Sequence, residues 1–352
     1  MNKKFYLAIC TMWLLAGLQS TFAGNPDRQG EAGAYELLMN PWARSAGLHT
    51  MATGMISGVE AMRLNIAGLA RIQQTEVVVS HGIYLEGTGI TMSSFGVAQR
   101  VGKSSALGFS VMSLDFGEIP ETRVDLPEGT GATFSPSFIN IGLGFSHVFE
   151  NKVQVGVLFR AVSERISNAA AATFAIDAGV QYVSGPQDNF KFGISLRNVG
   201  GRMRFAGEGL SFQAQIPEGS VSYNLAVNQR AADFELQSML NIGLSYDFYF
   251  SAHRFTILSN FTSNAFSRDQ IGAGVEVAFA KMFVLRGGYR YEMGTSRLDV
   301  IERPVYTGPS AGFTVNVPFS KREDSGSFAI DYAYRATKVW GGTHNFSVRI
   351  NL

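Results

Sequence analysis

A catalytic or metal centre in this 352-residue chain would have to be built from five histidines, 28 acidic residues and one cysteine. His49, His81, His147, His253 and His344 stand far apart, without an HExxH repeat or a thiolate partner, so their spacing supports no metal site. The cysteine, Cys10, lies in the apolar stretch near the start, too far from the expected cleavage site to carry a lipid. No GxSxG elbow or phosphate-binding loop occurs. The pairs Gly142/Gly144 and Gly272/Gly274 recur at period two with no helix after them, which marks small residues on one face of a strand rather than a dinucleotide loop. Nothing in the spacing of the carboxylates separates an acid–base pair from structural ion pairs. No catalytic, cofactor-binding or metal-ligating residue emerges, and no cofactor is expected.

The elements that carry these residues have a stronger signature. Charged residues make up only 16% of the chain against 46% apolar and 12% aromatic, well below the roughly 25% charge of an ordinary wet surface. A net charge of +1 offers no signal for a polyanion partner, and none such as nucleic acid is expected. Beyond residue 75, apolar residues alternate with polar or small ones: Ile139, Ile141, Leu143 and Phe145 oppose Asn140, Gly142, Gly144 and Ser146, and Phe346, Val348 and Ile350 oppose Ser347, Arg349 and Asn351. Stretches of about 10 to 14 residues suit tilted bilayer-crossing strands, whereas soluble strands average about 5 to 6. Strands are predicted at 76–86, 88–101, 104–116, 137–149, 153–166, 172–184, 189–199, 237–249, 254–263, 269–280, 282–293, 308–319, 326–336 and 343–352. The fold class is therefore all-β: a transmembrane antiparallel β-barrel of about 14 strands, in which short turns alternate with long connections at 117–136, 200–236 and 294–307. Parity slips between Met92 and Phe95, as at a β-bulge. Aromatics that finish apolar faces, such as Tyr289, Tyr291, Tyr332, Tyr334 and Phe248, fit girdles at the lipid headgroups.

Residues 1–23 read as a cleaved export signal, with Lys3 and Lys4, an apolar stretch from Phe5 to Leu18, and Thr21-Phe22-Ala23 before the cut. Residues 24–75 do not alternate, and form an N-terminal plug or hatch segment expected in the lumen of a barrel formed by 76–352. Inward positions carry charges of both signs, namely Arg160, Glu164, Asp177, Lys191, Arg197, Asp247, Glu276, Arg286, Arg290, Asp331, Arg335 and Arg349. A charge-selecting pore would show one sign, so lumen salt bridges that hold a plug are the better reading. The strand order implies a bacterial outer-membrane protein with both mature termini in the periplasm and the long connections outside.

Several stretches also resemble a known family. Asn40-Pro41-Trp42-Ala43-Arg44-Ser45-Ala46-Gly47, Asn65-Ile66-Ala67-Gly68-Leu69-Ala70, Leu196-Arg197-Asn198-Val199-Gly200 and Asp331-Tyr332-Ala333-Tyr334-Arg335 are similar, in that order, to motifs of the PorV/PorQ outer-membrane proteins of Bacteroidota, and closer to PorV. These are in turn similar in design to the fatty-acid transporter FadL, a fourteen-stranded barrel with an N-terminal hatch. The resemblance implies hatch residues at Asn40, Pro41, Arg44, Gly47, Asn65 and Gly68. It departs at Ile66, where the family has proline and the hatch turn would be looser, and at the terminal Leu352, where an aromatic is usual. What it implies is a non-enzymatic part of the type IX secretion system, which takes cargo with a C-terminal sorting domain from the translocon barrel to the attachment complex, with outer-membrane lipid around it. Ile119, Val124, Met203, Phe205, Leu210 and Phe212 in the long loops are the candidate contacts for cargo or partner. The competing reading is a FadL-like transporter of hydrophobic small molecules, with an apolar tunnel supplied by Leu158, Val162, Met282 and Val284.

Overall fold

A computed structural model describes residues 24–150, 152–218, 221–280, 282–295, 304–320 and 326–352; the expected export signal lies outside the described residues. Among them fourteen strands close into one antiparallel barrel: β1 (Thr75–Tyr84), β2 (Ile90–Val101), β3 (Ser105–Asp115), β4 (Ser137–Phe149), β5 (Val153–Ile166), β6 (Ala169–Ser184), β7 (Phe190–Gly200), β8 (Met239–Phe250), β9 (His253–Asn264), β10 (Gln270–Phe279), β11 (Phe283–Glu292), β12 (Tyr306–Pro318), β13 (Ser327–Thr337) and β14 (Thr343–Asn351). Glu76 pairs with Asn351 to close the seam between β1 and β14. Closure leaves no barrel strand with an unpaired edge in lipid, where each unpaired amide or carbonyl would cost several kcal/mol.

The alternation does the sorting. Ile139, Ile141, Leu143 and Phe145 are exposed on the outer wall of β4, while Asn140 and Ser146 are buried inside. Phe149, Phe250, Phe279, Phe283 and Phe319 stand exposed beside the short turns, and Tyr289 and Tyr291 do so toward the long-loop rim, as aromatic girdles require. No bulge interrupts β2, contrary to the expectation from its parity. Its pairing with β1 and β3 runs without a shift, and Met92 simply faces inward, packed with Leu114 and Phe138. The apolar lumen contact, not an extra residue, breaks the sequence pattern there. Register shifts fall instead at Leu196/Val199 in β7 and Tyr306/Ser310 in β12. Asp177 supports the first: its Oδ1 accepts from the amide of Asn198, which has φ 58°, at 2.6 Å, and its Oδ2 accepts from Arg160 at 2.5 Å.

Residues 24–74 thread the interior from end to end. The Gly24 amide meets Asp269 in the β9–β10 turn, and Ala32–Gly33 pairs in parallel with Glu235–Leu236 of the long β7–β8 loop. Two short helices, α1 (Ala43–Ala46) and α2 (Ala61–Leu64), and a 3-10 turn (Ile66–Ala70) follow inside the wall. The segment leaves at the opposite end, where the Thr75 amide reaches the Leu352 carbonyl. Gly24 and Leu352 therefore lie at opposite mouths. This corrects the expectation that both ends leave from the short-turn side, which counted barrel strands and did not allow for a segment that crosses the lumen once.

Replacing Asp177 by alanine leaves the Arg160 guanidinium buried without its carboxylate and removes the acceptor that holds the bulge. A cost of about 3–5 kcal/mol is expected, read as a lower temperature for the heat-induced mobility shift of the folded barrel on gels. An unchanged temperature would remove Asp177 from the structural account.

Candidate functional site

The interior is a surface made by two partners, the inward wall and the threaded segment. The Asn40 carbonyl accepts from Arg335 at 3.3 Å and Asn345 at 3.2 Å, and the Pro41 carbonyl accepts from Ser80 at 2.6 Å and Asn345 at 2.8 Å. The Asn40 side chain turns back to its own segment, donating to Ser45 Oγ at 2.9 Å and accepting from the Trp42 amide at 3.2 Å. Ser310 donates to the Gly47 carbonyl at 3.1 Å, and a Cβ on Gly47 would sit 3.1 Å from Gly312 Cα. Asn65 reaches across to the Val180 carbonyl at 3.1 Å and caps the 3-10 turn through the Ala67 amide at 3.2 Å. A Cβ on Gly68 would stand 2.1 Å from the Ile56 carbonyl, so the tight fold-back of the segment requires glycine there. The structure thus brings Asn40, Pro41, Gly47 and Asn65 onto the wall, while Gly68 serves the segment's own fold. Ile66 is buried against Gly144 and Gly156 of the wall, so the residue that replaces the family's proline fills a recess rather than loosening a turn.

Nearer the short turns, a belt of charged side chains, relayed at β12 by Thr314, crosses eight successive strands. Lys191 on β7 pairs with Asp247 on β8, which lies 3.9 Å from Arg254 on β9. Arg254 pairs with Glu276 on β10, and Glu276 accepts from Arg286 on β11 at 2.5 Å. Arg286 donates to Thr314 on β12, Thr314 donates to Asp331 on β13, and Asp331 lies 3.4 Å from Arg349 on β14. Arg44 of the segment faces this belt. Burial opposes its charge, but Glu60, Glu76, Asp331 and Glu276 prevail and hold the guanidinium above its ordinary range. Mixed inward charge therefore forms a brace rather than a selectivity ring. Arg254 was not among the residues the sequence singled out, although its parity with Thr256 at the start of β9 marks it as inward.

Above the segment, on the long-loop side, a cavity of about 240 Å³ is lined in part by Arg63, Arg197, Arg290 and Arg335 with Glu292. This is no apolar tunnel. Of the residues expected to line one, Leu158 and Val162 are buried in the apolar clusters, Met282 is exposed, and Val284 lines a separate cavity of about 220 Å³ beside Arg44, Glu276 and Arg286. His49 lies buried nearby, edge-on to Tyr306 with centroids 5.4 Å apart. Burial, and then the cations Arg290 and Arg335, push its pKa well below the ordinary value, so it is neutral at neutral pH. His81 and His147 pair with Ser93 and Ser105, at 3.2 and 2.8 Å, and His344 with Tyr332 at 2.8 Å. No grouping of three or more possible metal ligands occurs among the described residues.

At the rim, the candidate loop residues divide. Val124 is fully exposed, and Phe212 and Ile119 are exposed, at 53% and 39%. Phe205 and Leu210 are half-buried. Met203 is not available at all: its backbone exchanges two 2.9 Å hydrogen bonds with Phe234, and its side chain packs down into the cluster of Leu37, Leu114 and Leu236. A pair of strands, Ser211–Glu218 and Val221–Asn228, projects from the same loop as a hairpin bonded only to itself among the described residues, with Phe212 and Leu225 exposed. Sequence reading passed over this hairpin, although Gly219-Ser220 between two extended stretches is a turn signal.

A fourteen-stranded barrel with an N-terminal segment before its first strand has the fold of the FadL-like barrels. Among solved structures it is similar to the CymD monoaromatic hydrocarbon channel, with a TM-score of 0.54 at 14% identity, covering 88% of this chain and 96% of that one. It is similar to a Pseudomonas aeruginosa FadL homologue at 0.51 and 10%, covering 88% and 97%, and to the Pseudomonas putida toluene transporter TodX at 0.50 and 12%, covering 85% and 93%. At such identities the likeness concerns the fold alone. The model of the type IX secretion system membrane protein PorP/SprF family matches residues 57–350, and the chain belongs to that family. No curated protein matches it. The motif resemblance was to PorV/PorQ, whereas the family whose model matches is PorP/SprF; the two readings share the secretion system and the FadL-like barrel, not the family. Membership of a family of secretion-system membrane proteins makes the chain non-enzymatic.

For His49, the unfolded chain takes up a proton below about pH 6.5 that the folded one refuses. Stability therefore falls as pH drops through that range, by up to about 1.4 kcal/mol per pH unit. His49→Phe is expected to flatten the acid limb of the heat-modification profile between about pH 6.5 and 5, and an unchanged slope would assign that limb to other groups.

Proposed function

We propose that this barrel is a docking and transfer protein of the type IX secretion system, with its long loops outside the cell and its short turns in the periplasm. In this PorV-like role it binds cargo carrying a C-terminal sorting domain as the cargo leaves the translocon barrel and passes it to the attachment complex. The observation that carries the reading is the loop hairpin. Two strands on their own are at best marginally stable in water, and this pair offers open edges to an incoming strand, with Phe212 and Leu225 as apolar anchors. Exposed Ile119, Val124 and Leu126 in the β3–β4 loop extend the apolar surface of the rim. The N-terminal segment acts as a plug, and the arginines that line the cavity above it argue against an apolar solute as the traffic.

Affinity purification of the tagged barrel from detergent-solubilised outer membranes is expected to recover proteins with C-terminal sorting domains or the translocon barrel. Recovery of bound lipid or fatty acid alone would favour a hydrophobic-solute transporter instead. Replacing residues 211–228 with a short Gly-Ser link is expected to leave a heat-modifiable barrel while reducing cargo recovery by at least about tenfold, equivalent to about 1.4 kcal/mol. Full cargo recovery by that variant would refute the hairpin as the docking element.

A further inference from the structure

We propose that the α-ammonium group of the mature chain's first residue, Gly24, is bound by the carboxylate of Asp269, so that export processing creates the group that locks the threaded segment at the long-loop mouth. The inference rests on cleavage after Ala23. There a leader peptidase adds water across the Ala23–Gly24 amide, the new carboxylate leaves with the signal, and the freed amine of Gly24 takes up a proton. In the structure the Gly24 nitrogen already donates to Asp269 Oδ2 at 2.7 Å. Asp269 is 1% exposed, and the turn that holds it is fixed by the Met293 amide on its carbonyl at 2.8 Å and by Asn264 Nδ2 on the Arg268 carbonyl at 2.7 Å.

The pocket is shaped for glycine. A Cβ at position 24 would stand 2.6 Å from Asp269 Oδ1, 2.7 Å from the Ser267 carbonyl and 2.9 Å from the Asp269 amide. Neighbouring contacts hold the chain end in place: the Asn25 amide reaches the Asn264 carbonyl at 3.4 Å, and the Arg28 guanidinium lies 4.2 Å from the Phe266 ring centroid. Arg28 itself is held by Glu31 and Glu235, at 2.7 and 3.6 Å, and the Asn264 amide donates to Asp269 Oδ1 at 3.4 Å. Cleavage replaces one neutral donor with a cation carrying three, set against a buried carboxylate. The bond to the carboxylate is charge-assisted from the acceptor side already, and cleavage adds a full charge on the donor side, which makes it an ion pair as well.

The test is amine labelling of the barrel purified from outer membranes, by reductive methylation near neutral pH before and after heat unfolding. Mass spectrometry follows the peptide ending at Arg28, with exposed Lys103 as the internal reference. In the folded protein the Gly24 amine is expected to react at least about tenfold more slowly than after unfolding, since each unit by which the pair raises its pKa removes tenfold of the free amine. Asp269→Asn is expected to abolish most of that protection. An alanine inserted between Ala23 and Gly24 is expected to do the same with Asp269 intact, which keeps the test open if Asp269→Asn fails to assemble. A mature chain that begins elsewhere overturns the cleavage premise and the lock with it. A chain that begins at Gly24 but labels equally fast folded and unfolded overturns the lock alone.

Discussion

A sheet closed in lipid has one polar face, and it points inward. Every other feature of this molecule answers that constraint. Lipid takes the apolar parity of each strand, so the opposite parity must be satisfied by something inside the wall, and the chain supplies its own residues 24–74 for the purpose. Where the segment's backbone runs closest, the wall carries glycine: Gly193 faces the Thr53 carbonyl and Gly156 faces that of Ile66, both nearer than a Cβ would tolerate. Where the wall carries serine, asparagine or glutamine, those side chains bind the segment's carbonyls, as Ser146 does with Ala67 at 2.7 Å and Gln181 with Ile56 at 3.0 Å. The two surfaces were matched residue by residue.

The charge belt obeys the same logic across the wall itself. Opposite signs alternate from Lys191 to Arg286, neutral Thr314 links Arg286 to Asp331, and Asp331 faces Arg349, so each of these buried charges has an opposite partner on an adjacent strand. A pair of this kind is a weak source of stability but a strong penalty for error, because a slipped strand would strand its charges. The belt therefore fixes register over β7–β14. The other half of the wall, β1–β6, relies more on apolar contact with the segment through Leu158, Val78 and Ala98.

The barrel was legible because a period of two is imposed by the bilayer on every strand and repeats fourteen times. No strand end moved by more than three residues, the largest shift being Ala169 against an expected 172. Met92 misled because parity cannot distinguish an outward apolar residue from one buried against the segment. Met203 misled because an apolar residue in a loop reads alike whether it faces water or folds back onto Phe234 and Leu37. The path of residues 24–74 was hidden for a deeper reason. It is set by pairwise contacts with wall positions that lie up to about three hundred places away in sequence, such as Ala43 on Ser347, and no local pattern encodes those.

That path constrains the order of assembly. A wall that meets itself at Glu76 and Asn351 must bring together residues almost a whole barrel apart in sequence, the costliest loop closure in the molecule. With the segment in place first, each hairpin has a shaped core to lie against, and the final seam joins two strands already held by the same object: β1 through Ser80 on the Pro41 carbonyl, β14 through Asn345 on the same oxygen. The N-terminal segment is then a mandrel as well as a filling, around which the cylinder is wound.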